Sequence, residues 1–194
     1  MMRQNGPENV TMHPNIARMV EVWRDERHGA AAPQRGGFSP LSFGSSLSQL
    51  FLLGGETAGT ETFRIAGALL ADLHGEELQG AGFTDLWRAS DRLRLTAALQ
   101  QIRDEAEPVL LKGKAVAADG EAIHIEMVIA PIHGENGRTE RVLGLYQPTS
   151  ITARLCGQRV VELQLTDVES LAPKAASARP MLRLVVDNTR RAAA

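Results

Sequence analysis

Apolar residues fall at every second position in IHIEMVI, residues 123–129, and at every third or fourth position in SDRLRLTAALQQIRDEAE, residues 90–107. The first period is that of a strand with one buried face and the second that of a helix with one buried stripe. In the helical segment Leu95, Leu99, Ile102 and Ala106 form the stripe, Ser90 and Asp91 suit its start, and Pro108 ends it. The alternating segment is the middle one of three strand candidates, VLLKGKAVAA (109–118), EAIHIEMVIAPI (121–132) and RVLGLYQPT (141–149). Asp119-Gly120 is a two-residue hairpin signal between the first two, and HGENGRTE (133–140) is a longer loop before the third, so the three read as an antiparallel meander.

Upstream the pattern is more broken. After a polar lead-in over residues 1–11, PNIARMVEVWRDERHG (14–29) places Ile16, Met19, Val20 and Trp23 on one helical face between Pro14 and Gly29. AAAPQRGGFSP is a loop, and Ser39-Pro40 offers a cap and first turn for a helix through Leu47. LFLL (50–53) reads as a buried strand, GGETAGTE (54–61) as a turn, and TFRIAG (62–67) as a second strand with Phe63 and Ile65 opposite Arg64. ALLADLH, EEL and FTDLW follow between Gly67, Gly75, Gly80 and Gly82, each too short to hold a helix alone. Beyond Ser150 the pattern predicts a weak segment at 151–165, a linker ESLAPKAASARP and a terminal strand MLRLVV.

Two strands, short helical pieces, a longer helix and three strands predict an α+β fold, a five-stranded antiparallel sheet with helices on one face. The N-terminal helix (1–46) and an extended C-terminal tail (150–194) flank a central domain at 47–149. The 194 residues, 43% hydrophobic, suffice for one core of ordinary size.

Lys plus Arg at 21 against Asp plus Glu at 23 gives a formal charge of −2, so no global field favours nucleic acid or an anionic membrane. The longest apolar runs fall far short of the roughly 18 residues of a membrane span, and no secretion signal opens the chain. The single cysteine, Cys156, excludes an internal disulfide and reads as an inert thiol, which places the protein in the cytoplasm.

Candidate chemistry changes this picture little. His124 and Glu126 share a strand face near His133, but a polar stripe explains them better than a metal site, because Ile123, Ile125, Met127 and Ile129 take the opposite face. Gly54 and Gly59 are spaced as in a phosphate-cradling loop, yet Thr60 stands where that loop needs lysine and Glu61 where it needs Ser or Thr. GSSLS lacks the second glycine of a nucleophile elbow, so Ser46 is given no nucleophilic role. Arg64, opposite Phe63 and Ile65, is expected to pair with a carboxylate or to meet an anionic ligand, and Trp87 to line a pocket or plug the core.

The succession FRIAG, LHGEELQG, FTDLW over residues 47–149 resembles a bacterial PAS domain. Trp23, Pro33-Gln34-Arg35, Ser39-Pro40 and LFLL resemble the lead-in of a stand-alone bacterial PAS family. The resemblance implies short helices wrapped across the sheet, glycines that end them in the left-handed conformation, and a pocket between helices and sheet. Arg64, Leu69, Trp87, Leu95, Leu99 and Met127 are the candidates to line it, for a small apolar or weakly acidic ligand.

Haem is disfavoured because the long helix has no His or Cys, and flavin photochemistry because the helical region has no cysteine. Met19 and Trp23 are candidates for an interface, their helix covering the outer sheet face of its own or a neighbouring subunit, and a homodimer is expected. The function implied is a sensor or interaction module in bacterial signal transduction, regulating a signalling partner and not acting as an enzyme. The alternatives are a small α+β enzyme with Asp72, Asp85 or His124 as general base, or a ligand-free scaffold.

Overall fold

A computed structural model describes residues 11–38 and 40–173. In chain order the main elements are α1 (Pro14–Glu26), β1 (Leu50–Gly54), β2 (Thr62–Ala66), α2 (Ala68–His74), α3 (Arg92–Glu105), β3 (Val109–Ala117), β4 (Ala122–His133), β5 (Thr139–Pro148) and β6 (Val160–Ser170). Short 3₁₀ turns occupy Pro40–Gln49, Phe83–Leu86, Ala89–Asp91 and Thr152–Leu155. The Ser39 cap, the 1–10 lead-in and the MLRLVV segment lie outside the described residues.

The strands form one antiparallel sheet in the order β2-β1-β5-β4-β3-β6. The α+β architecture stands as expected, with one addition: the segment expected to be weak supplies a sixth strand at the edge, paired with β3 from Val160 to Ser170. A register shift between Val160 and Glu162 breaks the period of two, so that Val160, Leu163 and Leu165 face inward at uneven spacing, and a second shift follows Leu165. The start of the expected linker is part of β6: Glu169 pairs with Leu110, Ser170 with Val109, and the Glu169 carboxylate accepts from Lys112 Nζ.

The sheet separates two apolar layers. On the inner face Phe51, Leu53, Tyr146, Met127, Ile125, Leu111 and Leu163 pack with Leu70 of α2 and with Leu95, Leu99 and Ile102 of α3. The stripe read from the helical period docks through Leu95, Leu99 and Ile102, whereas Ala106 lies past the helix end at φ 52° and packs against the outer layer; the meander places its alternate residues on the inner side. Gly144 of β5 lies opposite Phe51 of β1, and a Cβ there would meet Phe51 Cζ at 2.0 Å, so the missing side chain is what admits the ring.

On the outer face α1 lies across β4 and β5 and buries Ile16, Met19, Val20, Val22 and Trp23 against Leu110, Val128, Ala130, Leu143 and Leu145. His13 Nδ1 accepts from the Asn15 amide at 3.2 Å to cap the helix, while the His13 amide donates to Glu126 Oε2 at 2.6 Å. Trp23 Nε1 donates to the Pro131 carbonyl at 2.8 Å. Of the two arrangements open to this helix, the structure adopts the covering of its own sheet, so Met19 and Trp23 are buried within the chain.

Two local readings are corrected. Ile65 does not alternate into the core with Phe63: β2 carries a bulge, Leu52 pairing with Ile65 and Leu53 with Phe63, which turns Ile65 outward to 61% exposure. His133 is not an exposed loop residue; its amide donates to the Pro33 carbonyl and its carbonyl accepts from Arg35, so the Pro33-Gln34-Arg35 loop covers it. Burial there lowers its pKa below the ordinary histidine value.

Candidate functional site

The space between the inner sheet face and helices α2 and α3 is closed by side chains. Trp87, Leu95, Leu99 and Met127 meet there, each at most 1% exposed. Leu69 is only half-buried; α2 turns Leu70 and His74, four residues apart, toward the sheet instead. Arg64 stands outside this interior, exposed on the bulge of β2, and makes no ion pair among the described residues.

The interior is not wholly apolar. His74, 4% exposed, ends α2 just before Gly75, which takes the left-handed conformation at φ 69° and stops the helix. Its ring meets Tyr146 of β5 edge to face, with centroids 6.2 Å apart. Trp87 follows the 3₁₀ turn Phe83–Leu86, packs edge-on against Phe83, and its ring approaches Gly113 of β3, where a Cβ would lie 3.5 Å from Trp87 Cζ3.

His74 Nε2, Tyr146 Oη and Trp87 Nε1 are all buried and have no hydrogen-bond partner among the described residues. Burial also sets their charge. Desolvation lowers the His74 pKa to about 4, with Glu76 opposing weakly, and raises that of Tyr146, so both rings are neutral near pH 7. Each offers the interior a polar group: the N–H of Trp87, the O–H of Tyr146 and one imidazole nitrogen of His74, the last two on rings that meet edge to face.

Neither His74 nor Tyr146 was singled out from sequence. A signal existed for each: His74 lies on the stripe of Leu70, and Tyr146 shares the inner face with Val142 and Gly144 by strict alternation.

The candidate general bases do not converge. Asp72 and Asp85 are exposed on α2 and on the turn before Trp87, and Asp85 pairs with Arg92 at 3.1 Å. His124 is exposed on β4, and Glu126 is engaged by the start of α1. Among the described residues no group of three or more His, Cys, Asp or Glu side chains is placed to hold a metal ion. Cys156 is exposed after the last 3₁₀ turn. No helix among the described residues is long and apolar enough to cross a membrane.

Comparison with solved structures gives matches at low identity. The LOV protein of Rhodobacter sphaeroides is 11% identical with a TM-score of 0.44, covering 75% of this chain and 72% of its own. The PAS domain of Bordetella pertussis BvgS is 14% identical with a TM-score of 0.42, covering 57% of this chain and 85% of its own. The PAS domain of a Colwellia psychrerythraea protein is 17% identical with a TM-score of 0.41, covering 51% and 85%. No curated protein matches the chain. A family profile described as PAS domain matches residues 11–147, a span that takes in α1 as well as the strands through β5. The chain belongs to the PAS domain family, a family of sensory and interaction modules of bacterial signal transduction.

Proposed function

We propose that this chain senses a small neutral or weakly acidic molecule held between α2, α3 and the inner face of the sheet, and relays its presence to a signalling partner protein or a second copy of itself. One observation carries the reading: three polar atoms, His74 Nε2, Tyr146 Oη and Trp87 Nε1, are buried with no hydrogen-bond partner among the described residues. A buried donor left unmet costs about 1–3 kcal/mol, and native interiors keep few of them without a role. A carbonyl or a protonated acid group could accept from Trp87 and Tyr146 while Leu95, Leu99 and Met127 hold its apolar part.

Room for the molecule would come from α2. It has seven residues, is bounded by Gly67 and Gly75, and has no side-chain cap at its start, so its displacement is cheap beside that of the sheet. A cytoplasmic setting agrees with the single, exposed Cys156.

Native mass spectrometry of the purified protein, before and after denaturation, tests this. An added mass below about 1 kDa, lost on denaturation and absent from the Tyr146→Phe, Trp87→Phe double variant, is the expected result. Bare protein in every preparation from the native cell would refute it. The complete burial of Trp87, Leu95, Leu99 and Met127 favours a second reading, a ligand-free interaction module, and bare protein would favour that.

A further inference from the structure

The outer face of the sheet carries an open apolar cavity, and we infer that it is a binding site for a long-chain carboxylate, its tail in an apolar groove and its head between Arg64 and Arg141. This site is separate from the interior. The groove encloses about 800 Å³ over β1 and β5, within the roughly 300–1,000 Å³ of small-molecule sites. Its walls include Phe38, Phe43, Leu47, Leu50, Leu52 and Ile65. Leu47 and Ile65 are 49% and 61% exposed, apolar surface that the described residues do not cover.

The polar end is built by two devices. The bulge in β2 turns Arg64 toward the end of β1, and β5 brings Arg141 opposite Gly54 in register. Both guanidinium groups lie over that glycine: a Cβ on Gly54 would stand 2.6 Å from Arg64 Nε and 2.9 Å from Arg141 Nη1. The two nitrogens are therefore no farther apart than those distances combined, an arrangement of like charges that an anion stabilises.

Glu140 is the nearby counter-charge, and it is divided, 3.0 Å from Arg35 Nη1 and 3.6 Å from Arg141 Nη2. Glu56 and Glu135 line the adjoining polar pocket but form no ion pair with Arg64 or Arg141 among the described residues. Arg35 and Arg141 line both pockets, so groove and arginines are continuous. Apolar walls ending at paired guanidinium groups match one apolar chain with a planar anionic head.

Calorimetric titration with octanoate, decanoate and dodecanoate, each below its micellar concentration, reads this directly. Affinity should rise roughly fourfold per added methylene, and 1-dodecanol should bind at least tenfold more weakly than dodecanoate. Arg64→Gln and Ile65→Asp, both at exposed positions, should fold normally and each weaken dodecanoate by tenfold or more, whereas Tyr146→Phe should leave it unchanged. Equal binding of alcohol and acid, no sub-millimolar binding of dodecanoate, or indifference to both groove substitutions would overturn the inference. Loss of dodecanoate binding in Tyr146→Phe would overturn it too, by placing the acid in the interior.

Discussion

Arg103 of α3 donates from Nη2 to Glu61 Oε1 at 2.7 Å, a pair in which the Glu61 side chain is fully buried. Arg103 also donates to the carbonyls of Gly55 and Thr139, and Glu61 accepts from the Gly59 amide, so one pair ties α3 to the β1–β2 turn and to β5. The turn that mimics a phosphate loop in sequence is in fact organised around this carboxylate. Arg103→Ala leaves the enclosed Glu61 carboxyl without its partner, and should destabilise the fold by about 3–5 kcal/mol in urea denaturation. The Glu61→Leu, Arg103→Met double variant should cost less than either single change; a larger cost would contradict the reading.

Gly144 and Phe51 form a second coupled pair. Phe51 also packs with Phe63 and Phe83, ring centroids 5.6 and 5.7 Å away, so it has no alternative place to go. Gly144→Ala should destabilise by about 1–3 kcal/mol through overpacking, and Phe51→Ala by about 3–5 kcal/mol through the cavity it leaves. With Phe51→Ala already present, Gly144→Ala should be close to neutral in thermal denaturation. Simple additivity of the two would show that the ring does not occupy the space above the glycine.

His74 gives the fold a pH dependence. Its pKa falls from 6.5 in the unfolded chain to about 4 in the fold, so between these values the unfolded state binds more protons. The stabilising contribution is complete above pH 6.5 and is lost as pH falls toward 4, in total about 3 kcal/mol. Urea titrations at pH 7 and pH 5 should show about 2 kcal/mol of this loss in the parent protein and a smaller one in His74→Phe. The same slope in both would mean that His74 is accessible to water.

Trp23 tests the position of α1. It is fully buried and donates to the Pro131 carbonyl, so Trp23→Ala should cost about 3–5 kcal/mol. Because the helix covers its own sheet, the mass in light scattering should not change. A change of mass with little loss of stability would instead place α1 between two subunits.

The architecture was readable where one physical rule acted alone. The alternation at Ile123, Ile125, Met127 and Ile129 and the helical stripe of Leu95, Leu99 and Ile102 became the core in the expected sense. Reading failed where a bulge reset the period, as at Ile65 in β2 and between Val160 and Leu163 in β6. The candidate site was harder still. His74 beside a helix-ending glycine looks like a solvent residue, and only its spacing from Leu70 betrays burial. The meeting of Arg64 and Arg141 depends on pairing between distant strands, which no local pattern encodes.

The central claim concerns the interior, and a high-resolution crystal structure of the protein isolated from its native cell addresses it most directly. The account predicts electron density for a small organic molecule between α2, α3 and the sheet, with an oxygen within hydrogen-bond distance of Trp87 Nε1 and Tyr146 Oη. An interior in which those atoms meet only ordered water, or other protein groups, would contradict it.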